Sequence, residues 1–484
     1  MTLLEHAERR RVNALEVIGY DNLDVNEQFF TPLKVAQIMA DILVADSSNL
    51  EEVRLLDPGA GTGILTVAVI DRLKQCSPNA DIKVVVVEKD PLLLGALEET
   101  LSDTALAYEG VSYEIVNDNF LYWATESDTL FGDPGSVREF DLVIQNPPYS
   151  KLSAQGVENQ HLKKCGITTP NIYAAFMALG NKLLAKGGVM VSITPRSWMN
   201  GTYFSKFRND LFRESYLSAI HTFESRRDVF KDTGVLQESV VTALTKSGVV
   251  PSEVTISSSK SQAHDIATRR VPYSSVLVNG VVFVPATDDD VSAVEWISRA
   301  SCQLEDLKIK VSTGRVVDFR TRKRLVDIEG QNTVPMVYPA NFQPGKLTHP
   351  TPNPKKPQYY KSDDINLDKN LVPPGIYVLV KRFSAKEERR RITAAIWDST
   401  SSAAFDNKTN FFHIGGEGIP PKIAEGLCKW LNSKRVDSFF RVFSGHTQVN
   451  ATDLRMMPYP TLEQLEKIAE TDADADDSVE MVMD

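Results

Sequence analysis

The stretch Leu55-Leu56-Asp57-Pro58-Gly59-Ala60-Gly61-Thr62-Gly63 is the strongest indication of the fold in this chain of 484 residues. An apolar run leads into a glycine-rich turn, and a segment with helical periodicity follows. Glycine lets the backbone turn sharply and lie close to a ligand that any Cβ would push away. About 25 residues further on, a second apolar run ends in Glu88, whose carboxylate can accept both ribose hydroxyls of an adenosine-containing cofactor. The two features predict a cofactor site on an α/β fold.

Short apolar runs alternate with helical patterns between residues 50 and 195. The apolar runs cover residues 53–56, 82–87, 141–145 and 189–194, and the helical patterns cover residues 64–73, 91–101 and 172–184. This alternation predicts βαβ units and a Rossmann-like, mainly parallel sheet covered on both faces. Ligands of such sheets bind beyond the carboxyl ends of the strands, where the strand order reverses.

The pattern changes near residue 250. Residues 252–260 are rich in serine, and the strands that follow are shorter and separated by Pro, Asn and Gly. We therefore predict a catalytic domain over residues 1–250 and an α+β domain over residues 251–465. Residues 470–484 are acidic with no basic residue, which predicts a disordered tail over residues 466–484.

The formal net charge of -11 does not exclude a nucleic-acid partner, because Lys and Arg are clustered away from the acidic terminus. The four cysteines are widely spaced without a CxxC pattern, so we predict no metal site and no disulfide framework. No apolar run is long enough to span a bilayer, and no signal segment follows the first charges. We therefore expect a cytoplasmic protein.

The acid that leads the glycine-rich loop bears on the choice of cofactor. Asp57 suits a ligand with an ammonium group, such as S-adenosylmethionine, and is unfavourable beside the pyrophosphate of NAD. A dinucleotide-binding fold and a tight turn without a ligand are the alternatives. Asp118, in the stretch Ile115-Val116-Asn117-Asp118-Asn119-Phe120, is a candidate for the cofactor's adenine amino group, and a turn residue after a strand is the alternative.

The tetrapeptide Asn146-Pro147-Pro148-Tyr149 follows an apolar run at the predicted ligand-binding edge. The exocyclic amine of a base is a poor nucleophile because its lone pair is delocalised into the ring. The side-chain oxygen of Asn146 and the carbonyl of Pro147 can hold both amino hydrogens and direct the lone pair toward a sulfonium methyl. Tyr149 can stack on the base. The chain has no Pro-Cys dipeptide, so methylation at cytosine C5 by a thiolate is excluded.

In this order the segments resemble the γ class of amino-group DNA methyltransferases, with a TaqI-like catalytic fold. The resemblance implies that the segment before the glycine loop contacts the methionine part of S-adenosylmethionine, and that Phe230 stacks on the far face of the extruded base. A core phenylalanine is the alternative for Phe230. In the family the acid after the third strand directly precedes a Phe, whereas here Asn119 intervenes. The predicted cofactor contacts are Phe30, Thr31, Pro32, Asp57, Gly59, Gly61, Gly63, Glu88, Asp118, Phe120 and Asn146.

Segments beyond the catalytic core resemble the type II modification enzymes of the PstI/BsuBI group. They are residues 195–201, 311–320, 381–384 and 444–450. The resemblance implies that residues 251–465 recognise a target in double-stranded DNA, with CTGCAG suggested by the group. It also implies a monomer that is paired with a separate restriction endonuclease. The predicted DNA contacts are Arg196, Arg315, Arg320, Arg382, Gln448, Asn450 and the basic run Arg389, Arg390 and Arg391, although each basic cluster can also be a solvated surface.

The predicted reaction is methylation of N6 of an adenine rotated out of the duplex. Asn146 at the head of the tetrapeptide favours adenine, and methylation of cytosine N4 is the alternative with the same chemistry. An RNA or protein amide methyltransferase and a non-catalytic DNA-binding module are further alternatives. A fused endonuclease is less consistent with the sequence, because no convincing cluster of paired carboxylates with a lysine is visible.

Overall fold

A computed structural model of the chain describes residues 1–18, 30–45, 50–125, 138–223, 239–259, 266–352, 354–384, 388–443 and 448–484. Two compact units are present, Met1–Val284 and Pro285–Asp484. None of the helices within these ranges has the length and apolar character needed to cross a membrane. The predicted stacking residue Phe230 lies outside the described residues.

The first unit is built on a nine-stranded sheet of the described residues. In chain order the strands are β1 (Glu52–Pro58), β2 (Asp81–Val87), β3 (Val111–Val116), β4 (Phe140–Gln145), β5 (Leu184–Pro195), β6 (Ser215–Phe223), β7 (Ser239–Lys246), β8 (Glu253–Ser259) and β9 (Ile266–Pro272). Their order in space is β3-β2-β1-β4-β5-β7-β6-β8-β9. Neighbours from β3 to β5 are parallel, and β7 is antiparallel to β5 and β6. The prediction of an α/β fold with a mainly parallel sheet is confirmed.

The order of the strands reverses between β1 and β4. β1 pairs with β2 on one side and with β4 on the other, where Leu55 and Leu56 are in register with Leu142 and Val143. The glycine-rich loop follows β1 and the Asn-Pro-Pro-Tyr segment follows β4, so both leave the sheet at its carboxyl edge. In α/β sheets this switch point is the usual place for a ligand.

The helices of the first unit connect these strands, and a short hairpin follows them. The helices are α1 (Leu3–Ile18), α2 (Leu33–Leu43), α3 (Ile64–Cys76), α4 (Leu94–Ala107), α5 (Phe120–Thr125), α6 (Val157–Lys164), α7 (Ile172–Leu183), α8 (Ser197–Asn200), α9 (Ser205–Glu214) and α10 (Tyr273–Val276). The hairpin is formed by β10 (Leu277–Val278) and β11 (Val281–Val282). α2 packs on α3, and α5 packs on α6 and α7. α3 has apolar residues on several faces, and its Val and Ile side chains are buried in the core beneath the sheet.

The boundary predicted at residue 250 is wrong. β8 pairs with β6, and β9 pairs with β8, so the first unit continues to Val284. The serine-rich stretch that indicated a linker is largely strand β8. The hydroxyls of Ser257 and Ser259 lie 2.8 and 3.1 Å from the two ring nitrogens of buried His221. Buried hydroxyls are tolerated in a strand when they are hydrogen-bonded, and the sequence does not show that partner.

The second unit combines small sheets with helices. Its described strands are β12 (Lys310–Thr313), β13 (Leu325–Val326), β14 (Thr333–Val337), β15 (Phe342–Gln343), β16 (Lys346–Leu347), β17 (Tyr359–Lys361), β18 (Leu371–Val372), β19 (Gly375–Lys381), β20 (Ala394–Ser399), β21 (Ala403–Phe405) and β22 (Thr409–His413). They form sheets of order β12-β22-β19-β20, β13-β17-β14-β21-β18 and β15-β16. The helices are α11 (Asp288–Ile297), α12 (Pro421–Asn432), α13 (Lys434–Phe443), α14 (Ala451–Met456), α15 (Leu462–Glu470) and α16 (Ala475–Met483). The predicted α+β class is confirmed.

The acidic terminus is ordered, contrary to the prediction of a disordered tail. It contains α15 and α16, and α16 packs on α12 and α15. Val479 and Met483, one helical turn apart, are buried, and Asp474 caps the start of α16 by accepting two backbone N–H groups. Lys434 and Arg435 form ion pairs with acidic residues of α16. Composition alone suggested disorder because this segment has few apolar residues, and because its basic partners Lys434 and Arg435 lie about forty residues away in the sequence.

Candidate active site

The glycine-rich loop after β1 has a backbone that favours glycine. Gly59, Gly61 and Gly63 have φ of +72°, +60° and +86°, a region that other L-residues rarely adopt. The N–H of Gly59 donates to the carbonyl of Val87 at 2.7 Å. The N–H of Gly61 donates to Oε2 of Glu88 at 2.8 Å. The loop is therefore fixed to the end of β2, with its backbone at the edge of the sheet.

The carboxyl group of Asp57 lies beneath this loop. It is fully buried, and its Oδ2 accepts a hydrogen bond of 2.7 Å from the hydroxyl of Thr66. Its Oδ1 has no hydrogen-bond partner among the described residues. The pKa of Asp57 is raised to about 7, mainly by burial; the Thr66 bond opposes this shift, and the nearby charge of Glu88 contributes to it.

Glu88 closes the other side of the loop. Its Oε2 accepts from Gly61, and its Oε1 accepts from the backbone N–H of Asp90 at 2.8 Å. Burial raises the pKa of Glu88, although the two backbone hydrogen bonds oppose that shift. Each carboxylate oxygen has a further lone pair, so the side chain can still accept from a ligand hydroxyl.

A pocket opens at this edge of the sheet. Phe120 begins α5, and its ring centroid lies 4.8 Å from that of Phe176 in α7. Thr62 lines the pocket, and its buried hydroxyl has no hydrogen-bond partner within the described ranges. The wall combines apolar and aromatic groups with a few polar ones, as ligand pockets do. It is formed by Phe30, Thr31, Gly59, Ala60, Gly61, Thr62, Ile64, Leu65, Val87, Glu88, Lys89, Leu93, Asp118, Asn119, Phe120, Leu121, Asn146, Pro148, Ser150, Glu158, Ile172 and Phe176.

The side chain of Asn146 joins the segment after β4 to the segment before α2. Its Nδ2 donates to the hydroxyl of Thr31 at 2.9 Å, and Thr31 itself is buried. The hydroxyl of Tyr149 donates to Oδ1 of Asn146 at 3.4 Å. The bond to Thr31 fixes the plane of the carboxamide, so that the amide oxygen is the acceptor on the opposite side.

Tyr149 is packed into the protein rather than presented to the pocket. Its side chain is 7% exposed, and its ring meets the edge of Tyr173 at a centroid distance of 6.3 Å. The hydroxyl of Tyr173 lies 2.9 Å from that of Ser197. Burial raises the pKa of both tyrosines. Stacking of Tyr149 on a base stays a prediction.

The turn that carries Ser197 is held by a buried cation that the sequence did not reveal. Arg208 in α9 is 3% exposed and donates to the carbonyls of Trp198 at 2.8 Å, Gly201 at 2.7 Å and Gly280 at 2.5 Å. Desolvation lowers its pKa to about 10. Three carbonyls replace an acidic partner and satisfy the guanidinium.

The structure brings most of the predicted cofactor residues together in one pocket. Pro32, Asp57 and Gly63 do not line it, since Pro32 caps α2 and Asp57 is buried below the loop. Of the predicted catalytic residues, Asn146 and Pro148 line the pocket, whereas Pro147 and Tyr149 do not. The contacts of these residues with a ligand stay predictions.

Sequence reasoning missed the contribution of α7 to the pocket. Ile172 and Phe176 are four residues apart and so lie on one face of that helix. The helix itself was predicted, and this spacing is the signal that could have shown which of its side chains face the sheet edge. Thr62 and Lys89 follow predicted site residues directly but had no motif of their own.

The predicted DNA contacts have unequal exposure. Arg315, Arg320 and Arg389 are exposed, and Arg382 is half-buried. Arg315 donates to the carbonyls of Lys369 and Leu371, both at 2.9 Å. These arginines remain candidates for contacts with DNA.

Two polar residues of the same prediction have structural partners. Gln448 forms an isolated β-bridge with Phe383. Asn450 caps α14 in a reciprocal arrangement with Asp453. Arg196, in the first unit, is half-buried. For these three residues, too, contact with DNA stays a prediction.

The predicted basic run Arg389, Arg390 and Arg391 does not form one continuous exposed surface, and its contact with DNA stays a prediction. Arg391 is 1% exposed, and its guanidinium lies 5.5 Å from the ring centroid of Phe440. Arg390 donates to the carbonyl of Asn432. Both side chains therefore have partners inside the second unit.

Comparison with known proteins gives relatives over nearly the whole chain. Residues 96–230 match the family model described as Eco57I restriction-modification methylase. The chain is 37% identical over 471 residues to the type II methyltransferase M.BsuBI of Bacillus subtilis, covering 92% of each protein. It is 36% identical over 456 residues to the type II methyltransferase M.PstI of Providencia stuartii, covering 91% of this chain and 88% of that protein. The solved structure of the type IIG restriction endonuclease BpuSI is similar with a TM-score of 0.48 at 14% identity, covering 98% of this chain and 62% of that chain.

Proposed function

We propose that this chain, which belongs to the type II methyltransferases of restriction–modification systems, methylates N6 of adenine in double-stranded DNA. The methyl donor of these DNA-modifying enzymes is S-adenosylmethionine. The choice of adenine is our proposal. The observation that supports transfer to an amino nitrogen is the position of Asn146, which lines the same pocket as the glycine-rich loop and is fixed by Thr31. Adenine is favoured over cytosine because Asn leads the tetrapeptide.

The residues around the pocket fit S-adenosylmethionine. The backbone of Gly59 and Gly61 forms a wall where side chains are absent, and the buried hydroxyl of Thr62 lacks a partner among the described residues. Glu88 is placed to accept the ribose hydroxyls, and Asp118 is a candidate acceptor for the adenine amino group. Aromatic and aliphatic side chains of Phe30, Leu93, Phe120, Ile172 and Phe176 supply the apolar remainder.

When bound, the cofactor supplies a methyl group on a sulfonium centre. The chain's own task is to orient the nucleophile, because the amino lone pair of adenine is delocalised. In our proposal Oδ1 of Asn146 and the carbonyl of Pro147 accept the two amino hydrogens and turn the lone pair out of the ring plane. Thr31 keeps Asn146 in the acceptor orientation. The hydroxyl of Tyr149 also reaches Oδ1 at 3.4 Å, and an amide oxygen has a second lone pair that can accept a hydrogen of the base.

The identity of the methylated atom is the direct test. DNA methylated by the purified protein is digested to nucleosides and analysed by mass spectrometry. We expect N6-methyladenine. N4-methylcytosine is the alternative product, because the same acceptor pair also suits the cytosine amine, and finding it alone would refute the proposal. An RNA or protein substrate is tested in parallel with tritiated cofactor, and incorporation into either in place of DNA would also contradict it.

We further propose that the chain acts as a monomer in the cytoplasm and protects CTGCAG sites from a separate cognate endonuclease. The support is the similarity to M.BsuBI and M.PstI along the second unit as well as the first. DNA from cells that express the gene should resist a restriction enzyme that cuts CTGCAG. Cleavage of that DNA, with N6-methyladenine found in another sequence context, would reject the target while keeping the reaction.

A further inference from the structure

Two exposed phenylalanines in the second unit each lie beside an arginine. Phe319 is 66% exposed, and the guanidinium of Arg320 lies 5.5 Å from its ring centroid. Phe383 is 49% exposed, and the guanidinium of Arg382 lies 5.9 Å from its ring centroid. They are the exposed phenylalanines among the described residues of the chain. Exposed aromatic rings are informative because burial would normally stabilise them.

The two pairs flank one turn, although they are more than sixty residues apart in sequence. The backbone N–H of Asn407 donates to the carbonyl of Val316 at 2.8 Å. On the other side of the turn, the N–H of Arg382 donates to the carbonyl of Lys408 at 2.9 Å, and its guanidinium donates to the carbonyl of Asn407 at 3.3 Å. The segments that carry the two phenylalanines are thus bonded to the same turn, residues 406–408 between β21 and β22.

Further cations complete this surface. The ammonium groups of Lys356 and Lys408 lie 2.5 and 3.9 Å from Oδ2 of Asp318, and both lysine side chains are more than two-fifths exposed. These contacts hold the pKa of Asp318 below its usual value, with the Lys356 bond as the largest cause. We call the aromatic–basic surface the set Phe319, Arg320, Lys356, Arg382, Phe383 and Lys408.

The backbone beneath the surface is closely packed. Gly314 donates its N–H to the carbonyl of Thr409 at 2.8 Å, and a Cβ at Gly314 would lie 2.1 Å from the carbonyl oxygen of Asp406. Asp406 is fully buried, and its Oδ1 accepts the N–H of Lys408 at 2.6 Å. The turn is therefore packed closely against the segment that carries Gly314.

We propose that the aromatic–basic surface binds duplex DNA, with Phe319 and Phe383 contacting bases and the surrounding cations contacting phosphates. This inference rests on the proposed function. It assigns contact with bases to the two rings, which phosphate binding alone does not require. The four cations outnumber the nearby acids, Asp318 and the buried Asp406, and so complement a polyanion. Apolar rings enter a duplex between base steps or lie against base edges. A surface that binds only phosphates, by contrast, needs only Lys and Arg.

The test separates base contacts from phosphate contacts. Affinity of the full chain for a fluorescein-labelled duplex that carries CTGCAG is measured by anisotropy over a range of salt concentrations. Phe319→Ala and Phe383→Ala should each weaken binding at least about fivefold without changing the slope of log K against log [salt]. Arg320→Ala and Arg382→Ala should reduce the magnitude of that slope by about 1.

Matched variants exclude a structural origin of the effect. Met481→Ala removes a 71% exposed apolar side chain from the acidic α16 of the same unit and should bind like the parent protein. Phe319→Trp and Phe383→Trp should recover most of the lost affinity, because Trp keeps a stacking face. Parent-like affinity of both alanine variants, or an equal loss in Met481→Ala, would overturn the proposal.

Nucleoside analysis of the same variants distinguishes this inference from the proposed reaction. If the parent protein forms N6-methyladenine and the Phe→Ala variants bind DNA normally, the base contacts are rejected and the reaction stands. If the Phe→Ala variants lose affinity but the parent forms no N6-methyladenine, the surface stands and the reaction is rejected.

Discussion

The pocket edge of the first unit takes most of its residues from segments that directly follow the carboxyl ends of neighbouring strands. The loop after β1, Glu88 after β2, Asp118 after β3 and Asn146 after β4 are all of this kind. The aromatic–basic surface of the second unit is different, since its residues come from connections between short strands that pair mostly antiparallel. A parallel sheet brings all its strand ends to one edge, whereas in the second unit only specific pairings decide which connections meet.

The two regions also use their charges differently. Around the pocket, the carboxylate of Glu88 is bonded to backbone N–H groups and holds the loop. In the second unit several arginines that look available in sequence are structural: Arg324 contacts Asp363 and Asp368, and Arg391 is buried. In the first unit, a charged residue near a strand end is therefore a useful indication of the pocket. In the second unit, the burial and partners of an arginine have to be known before it can be assigned to a DNA-binding surface.

Removal of the Asn146 acceptor should have the largest effect and should be confined to the chemical step. Asn146→Ala is expected to lower the methyl-transfer rate by roughly 10²–10³-fold or more, since one preorganised polar contact in the transition state is lost. Tritium transfer to DNA measures the rate, and calorimetry measures cofactor affinity. Thr31→Val is the companion variant: it keeps the shape of Thr31 but removes the bond that orients Asn146, so a smaller loss is expected. Unimpaired turnover of Asn146→Ala would contradict the mechanism.

Gly314 offers the corresponding test in the second unit. Gly314→Ala places a methyl group against the Asp406 carbonyl, so the backbone has to move, and a loss of about 3 kcal/mol in the free energy of unfolding is expected. Denaturant unfolding and DNA affinity should both suffer, while cofactor affinity should be kept. Gly330→Ala is the control, because a Cβ there meets nothing within 4 Å. Equal stability of the two variants would show that the aromatic–basic surface is not held by this close approach.

The smallest effect is expected for the pH dependence of protein stability that arises from ionisation of Asp57. Its pKa in the folded protein, about 7, lies above the ordinary value of 3.8, so folding favours the protonated acid. Stability from this group is fully present below about pH 4 and is lost as the pH rises through 7. Asp57→Asn cannot ionise, and its melting temperature relative to the parent should rise from about pH 5 to about pH 8. A constant difference across that range would mean that Asp57 is not desolvated.

The sequence predicted the first unit well, except for its end. β1, β2, β4 and β5, and the helices α3, α4 and α7, match the predicted runs, whereas β3, α5 and α6 were not among them. The glycine loop and Asn146 lie at the same edge as expected. β8 was missed because its buried serines look like a linker until His221 is seen beside them. The terminal helix α16 was missed for a related reason, since its partners Lys434 and Arg435 are some forty residues away.

The sequence by itself determined the class of fold, and it predicted the cofactor loop and the acceptor pair, because these depend on local rules: glycine where φ is positive, and polar residues where parallel strands end. Only the tertiary structure decided that Asp57 is buried beneath the loop, that Tyr149 packs against Tyr173, and that Phe319 and Phe383 flank one turn. Those facts depend on which distant segments pack together, and no short-range pattern carries that information.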